Sequence, residues 1–469
     1  MIMPVILWTD ALVFLLTFVV LVFILYARRK PHLATPWRRV FSGRIAAASA
    51  VVLLAFVLVG LLDSIHFRLP LAGNGAGGEV HYAVDVLSVL DVLAGPLRTQ
   101  VEKTYSAPFA THLYAKETVE RPDGTQLREY PPLQYGGAHL AAAGLDKGAD
   151  ILRRCLHAVA GAAAAAVLLL GLLAAWLGRR HGIPPRVMAG RILAGRGAQP
   201  WRTVLAAFTL LLLLLLLAVN LAGAYHVLGT DKVGQDVLYQ SLKSIRTGLL
   251  IGTLTTLVML PFAIFMGIVA GYARGWVDDL VQYIYTTLNS IPHVLLIAAA
   301  ILMLQVYMAN HPEYFETTVE RADIRLLFLC IILGITSWTG LCRLLRGESL
   351  KLREAEYIQA AAAFGVAHAR IITRHILPNV MHIVLITVVL DFSGLVLAEA
   401  VLSYVGVGVD PTMNSWGNMI NGARMEMARE PVVWWSLLSA FLFMFALVLA
   451  ANLFSDAVRD AFDPRLRER

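Results

Sequence analysis

The chain has 469 residues, 58% of them hydrophobic and 15% charged, with a mean hydropathy of +0.68 and a formal net charge of +7. A soluble domain carries about 25% charged residues, so this composition excludes an ordinary water-soluble protein and calls for lipid as the solvent. The basic excess does not make a nucleic-acid groove, because the arginines cluster beside apolar runs, where they act as topology signals.

A helix needs about 20 apolar residues to cross the hydrocarbon core. Nine runs meet that need: 7–26, 45–62, 156–178, 204–222, 247–272, 280–305, 325–343, 380–402 and 433–455. The first lacks a basic flank before it and a small-residue cleavage site after it, so a retained helix is predicted rather than a removed leader. The fourth holds the leucine row 210–217, and the eighth holds two acids, Asp391 and Glu399. Cys155, Cys330 and Cys342 lie in or beside such runs without CxxC spacing. They read as small packing residues, not as a disulfide framework or a zinc site.

Arginine and lysine in short loops set orientation. They gather after the first run (Arg28, Arg29, Lys30, Arg38, Arg39), after the third (Arg179, Arg180, Arg186, Arg191, Arg196) and after the seventh (Arg343, Arg346, Lys351, Arg353, Arg370, Arg374). Those three stretches are predicted cytoplasmic. The N-terminus then lies outside, and the tail with Arg465, Arg467 and Arg469 inside. The long mixed-sign stretch 63–155 is predicted to form a small periplasmic domain, with an amphipathic helix over 80–93 and loops at 73–78 and Pro131-Pro132. Thr35-Pro36-Trp37-Arg38-Arg39-Val40 and Gln199-Pro200-Trp201-Arg202-Thr203-Val204 echo one another ahead of the second and fourth runs. Convergent Trp and Arg anchoring at the interface explains the echo as well as duplication does.

The stretch 343–379 is predicted to be two helices, 348–364 and a second reaching Pro378, joined at Gly365. Small residues at 360–363 would let another surface approach the backbone closely. A charged loop of this kind is by itself commonly a solvated connection. Asp231 and Asp236 follow Gly229 and Gly234 ahead of a helix, where they are expected as caps or as part of a periplasmic gate. Ser290-Ile291-Pro292 and Pro261 mark points where membrane helices can kink. No GxxxxGKS/T occurs, so the chain has no P-loop of its own, and the histidines show no metal-ligand spacing.

Gln359-Ala360-Ala361, Gly365 and Leu377-Pro378 resemble the EAA, G and LP positions of the cytoplasmic loop of ABC importer permeases, with Glu356-Tyr357 in the form of the dipeptide and oligopeptide branch. Four further stretches resemble the second permease of that branch. They are His226 to Asp236 (HVLGTDKVGQD), Trp276-Val277-Asp278 with Ser290-Ile291-Pro292, Glu399 to Gly408 with Ser415-Trp416-Gly417, and Asn452 to Arg465. Gln235 and Thr286 stand where the family usually has Arg and an acid. The matches run in order over about 200–469, and residues 1–199 have no counterpart in the usual six-helix form.

The resemblance implies an all-α polytopic fold. It would place a six-helix permease core in 200–469, to which the apolar runs and the long mixed-sign stretch add extra N-terminal helices in 1–62, a periplasmic insertion in 63–155 and a third helix with a basic linker in 156–199. It implies a non-enzymatic permease subunit that forms half of a path for di- or oligopeptides in a bacterial inner membrane. A homologous second permease, two ATP-binding subunits holding ATP and Mg²⁺, and a periplasmic substrate-binding protein would be its partners. Tyr357, Gln359, Ala360, Ala361, Gly365, Leu377 and Pro378 would meet the ATPase. Asp391, Glu399 and Ser290 are candidates for the path, and Asp231, Asp236 and Trp416 for a periplasmic gate or docking face. Import of nickel or another small solute by the same kind of permease stays open. So does proton-driven secondary transport through Asp391 and Glu399. A membrane enzyme built on 63–155 would need a catalytic constellation there, and only scattered Ser, His and Tyr are present.

Overall fold

The computed structural model describes residues 3–71, 81–120, 126–143, 146–197, 199–315 and 317–462. The predicted loop 73–78 and the tail arginines lie outside the described residues. Among those described, nine helices are long and apolar enough to cross a membrane.

In chain order the helices begin with α1 (Trp8–Arg28), α2 (Pro31–Ser42) and α3 (Arg44–Asp63). The inserted stretch supplies α4 (Val89–Leu93), α5 (Gly95–Thr99) and α6 (Ala138–Ala143). Then come α7 (Lys147–His181), α8 (Pro185–Leu193), α9 (Trp201–Ala222) and α10 (Val237–Ala273). α11 (Trp276–Ser290), α12 (His293–Asn310), α13 (Thr318–Ser337), α14 (Thr339–Arg353) and α15 (Glu356–Ala363) follow. The last are α16 (His368–Ile371), α17 (Leu377–Tyr404), α18 (Trp416–Glu426) and α19 (Trp435–Phe462).

The fold is helical but not wholly so. β1 (Met3–Val5), β2 (His66–Arg68) and β3 (Leu87–Ser88) form an antiparallel sheet in the order β1-β2-β3, with Met3 opposite Arg68 and His66 opposite Ser88. β4 (Glu117–Glu120) and β5 (Gln126–Glu129) form a separate hairpin. The helix expected over 80–93 is confined to Val89–Leu93, because Leu87–Ser88 pairs in the sheet and Ser88 then caps α4 in a capping box with Asp91.

Three other expectations are corrected. The run 280–305 is two helices, since Ile291 is extended and Pro292 has no N–H to continue the ladder. The helix expected over 348–364 breaks at Glu354-Ala355 into α14 and α15. The second stretch does not stop at Pro378. Leu377 N–H donates to the Ile372 carbonyl in a widened π turn over Ile372–Ile376, and Pro378 then sits in the first turn of α17, where a missing N–H costs little. The two Pro-Trp-Arg segments also differ: Pro36 lies inside α2, whereas Pro200 is the N-cap of α9.

The chain divides into two compact units. The first comprises residues 1–5, 28–246 and 414–457. In it the alanine face of α7, with Ala158, Ala162 and Ala174 buried, packs on α8 and α9, and α3 packs on α9. In the leucine row of α9, Leu210, Leu214 and Leu215 are exposed and the others half-buried, as on an apolar surface in contact with lipid. The second unit comprises 6–27, 247–413 and 458–469. One of its cores joins Met259, Ala263 and Ile268 of α10 to Leu341, Cys342 and Leu345 of α14 and to Ile358, Ile371 and Ile376. Another joins Leu250 and Leu254 to Leu326, Leu329 and Cys330 of α13, with Leu12 and Val13 of α1 against it.

Candidate functional site

The stretch 343–379 lies within the second unit and is built around a tight elbow. α15 ends with Phe364 at its C-cap and Gly365 in the left-handed region, φ +74°. Gly365 N–H donates to the Ala362 carbonyl at 3.0 Å and Val366 N–H to the Ala361 carbonyl at 3.1 Å. That paired ending closes a helix on a residue without a Cβ penalty. Ile358 is buried, and Ala361, Val366, Ile372 and Leu377 pack against the same core.

Burial on one side leaves a continuous outer face. Tyr357, Gln359, Ala360, Ala362, Ala363, Gly365 and Pro378 are exposed, and Phe364 is 88% exposed at the tip. Of the seven residues expected at a partner contact, Ala361 and Leu377 thus turn inward and the other five turn outward. Phe364 was not among them, because an aromatic residue beside a run of alanines reads as core.

Polar clamps fix the elbow's base. Arg346 on α14 donates to both carboxylate oxygens of Asp278 on α11, at 2.5 and 2.7 Å. The Arg346 bonds hold the Asp278 carboxyl below the usual range, against the opposing effect of burial. Arg353 donates to the Tyr272 carbonyl at 2.6 Å, and Arg274, just past α10, pairs at 2.5 Å with Glu354 at the break between α14 and α15. α14 can lie this close to α10 because Gly267 and Gly271 have no side chains. A Cβ on Gly267 would stand 2.8 Å from the Cys342 carbonyl, and one on Gly271 2.5 Å from that of Arg346. The four-residue spacing of these glycines is a helix-packing signal that sequence reasoning passed over.

The three candidate path residues do not share a site. Asp391 lines a cavity of about 450 Å³ between α17 and residues of α10, α13 and α14. Glu399 is 2% exposed and accepts a hydrogen bond from Ser403 Oγ at 2.7 Å. Ser290 is exposed at the end of α11, its hydroxyl donating to the Thr287 carbonyl.

The candidate gate residues, all in the first unit, are used locally. Asp231 accepts from the N–H groups of Val233 and Gln235. Asp236 accepts from those of Leu238 and Tyr239, capping α10. Trp416 is 1% exposed and donates to the Ser241 carbonyl at 3.2 Å. Beside them lies a buried charge cluster. His226 Nδ1 is 2.8 Å from Asp236, and its Nε2 is 3.4 Å from Glu102. Glu102 also accepts from the N–H groups of Gln134, Tyr135 and Gly136. Burial opposes charging of the His226 ring, but the hydrogen bond to Asp236 and the nearby Glu102 carboxylate outweigh it and raise its pKa to about 9. Burial likewise opposes charging of Glu102, yet the adjacent His226 ring and the hydrogen bonds from the three amides bring it down to about 2.

Residues 263–468 match the family described as "Binding-protein-dependent transport system inner membrane component". The oligopeptide transport system permease protein OppC of Haemophilus influenzae is 31% identical over 243 residues, covering 52% of this chain and 71% of that protein. The protein of the same description from Mycobacterium tuberculosis is 31% identical over 245 residues, covering 52% and 78%. The dipeptide transport system permease protein DppC of Bacillus subtilis is 30% identical over 245 residues, covering 52% and 70%.

Proposed function

Because the chain belongs to the family of inner membrane components of binding-protein-dependent transport systems, we propose that it forms half of an inward path for di- or oligopeptides and is driven through the elbow at 343–379. It is a multi-pass membrane component of an ABC transporter and not itself the catalyst. A homologous second permease completes the path. Two ATPase subunits bind ATP and Mg²⁺, and a periplasmic binding protein delivers the solute.

The observation that carries this reading is the elbow itself. A short helix buries Ile358 and Ala361 in the permease core and turns Phe364 and a run of small residues outward. Such a face suits a groove on another protein, since alanines allow close backbone approach and a central aromatic supplies an anchor. The clamps from Arg346, Arg353 and Arg274 tie the elbow to α10 and α11, so a push on the elbow moves packed helices as a body.

In the orientation read from arginine placement, the elbow is cytoplasmic, the N-terminus periplasmic and the C-terminus cytoplasmic. The extra N-terminal helices, the insertion in 63–155 and a six-helix core over 200–469 belong to the same reading. Docking of the binding protein falls to the loop 226–236, which Asp231 and Asp236 stiffen rather than serve as contact groups, while Trp416 is buried against the Ser241 carbonyl of α10.

The test is uptake of trialanine into proteoliposomes holding the chain purified with its native partners. Uptake that requires ATP and the binding protein supports the reading. Uptake driven by a proton gradient in the absence of ATPase subunits contradicts it.

A further inference from the structure

Asp391 stands more than about three turns from either end of α17. A carboxylate at that depth in a membrane helix is costly unless a partner compensates it. Glu399, two turns on, has Ser403, and Arg325 has Asp410. No donor or basic side chain among the described residues reaches the Asp391 carboxylate.

The space it faces is chemically one-sided. Thr387, Asp391, Gly394 and Ala398 follow one another along one face of α17, and Ser337 and Gly340 stand across the cavity. The lining thus offers one carboxylate, two hydroxyls and otherwise small or apolar surface, with no basic group. Its volume of about 450 Å³ falls within the range of small-ligand sites. An anion would find nothing to neutralise it there. A compact ammonium group on a short organic body would meet a carboxylate in a low-dielectric setting, where a charge-assisted hydrogen bond is strongest.

On the premise that the chain is a permease, we infer that Asp391 is a subsite for the free ammonium group of the transported solute. The path then favours peptides with an unblocked N-terminus over N-acylated ones. Thr387 and Ser337 complete the site as hydroxyl acceptors. Glu399 takes no part in it.

The assembled transporter in proteoliposomes tests this with trialanine and N-acetyl-trialanine, comparing wild type, Asp391→Asn and Asp391→Glu. ATP hydrolysis stimulated by the binding protein is followed in parallel. We expect Asp391→Asn to lower trialanine uptake about tenfold, the factor of a 1.4 kcal/mol contact. Stimulated ATP hydrolysis and N-acetyl-trialanine uptake stay at wild-type levels, and Asp391→Glu keeps most trialanine uptake. Unchanged trialanine uptake in Asp391→Asn overturns the subsite and leaves the permease reading intact, as does an equal fall for both peptides. Failure of Asp391→Asn to assemble marks a structural acid and overturns the subsite too. Absence of ATP-dependent peptide uptake by the wild-type transporter overturns the permease reading itself, and this inference with it.

Discussion

Arg346 on α14 grips Asp278 on α11 through two parallel hydrogen bonds, so the base of the elbow is fastened to the helix that precedes the Ser290-Ile291-Pro292 break. A bidentate pair is both stronger and more directional than a single contact. It makes the elbow and α11 one mechanical piece.

Asp278→Asn is expected to destabilise the purified chain by about 2 kcal/mol, because the amide offers Arg346 one acceptor oxygen instead of two and no charge assistance. The folded Asp278 carboxyl titrates below its ordinary value, chiefly because of Arg346. Its contribution is therefore present above the ordinary Asp pKa and lost as pH falls through the folded value. Thermal melts in detergent should show the gap between wild type and variant at pH 7 and its closure in strong acid. A gap that persists there would deny the charge its role.

Phe364→Ala should leave the melting temperature unchanged, since the ring is 88% exposed and supports nothing within the chain. Association with the ATPase subunits should weaken by about 2 kcal/mol, roughly thirtyfold, if the ring is an interface anchor. Titration of ATPase subunits against the purified permease measures this. Equal affinities would remove Phe364 from the contact.

Gly365 has open space around its Cα but a φ of +74°. Gly365→Ala should cost about 1 kcal/mol through backbone strain alone. Gly365→Glu adds bulk and charge on the outer face and should abolish ATP-coupled uptake while the protein still reaches the membrane. Wild-type uptake by the glutamate variant would count against the elbow as the drive.

His226→Gln leaves Glu102 and Asp236 buried together without their shared cation, at a cost of about 3 kcal/mol. With His226 raised to about 9, its contribution is complete below the ordinary histidine pKa and disappears as pH climbs through that value. Glu102 works in the opposite sense: its contribution is complete above the ordinary Glu pKa and fades as pH falls toward 2. Wild-type melting temperature should therefore fall between pH 6.5 and pH 9.5, and the variant should show a flatter profile. Parallel profiles would contradict this assignment.

Much of the membrane architecture was legible because lipid imposes long apolar runs whatever the tertiary contacts. The fusion of α11 and α12 into one expected span shows the limit of hydropathy. The run carries no charged side chain through Ile291, while the break is made by a missing N–H at Pro292. At the elbow, Gly365 was readable as a helix end, but the break at Glu354-Ala355 lies in a sequence of good helix formers. The clamp between Arg274 and Glu354 holds that break to the end of α10, and its partners are 80 residues apart. Distance along the chain also hid the Glu102–His226 pair, and the exposure of Phe364 runs against the usual meaning of an aromatic residue. The strands of the insertion are two to four residues each, too short for alternation to be seen.

The most direct measurement places a single cysteine at Ala362, on the outer face of the elbow, and applies a short thiol crosslinker to the assembled complex. The account predicts a covalent product between this chain and a nucleotide-hydrolysing subunit, with a yield that changes when ATP is added. A complex that hydrolyses ATP and transports normally, yet gives no such product from Ala362 or Phe364, would contradict it.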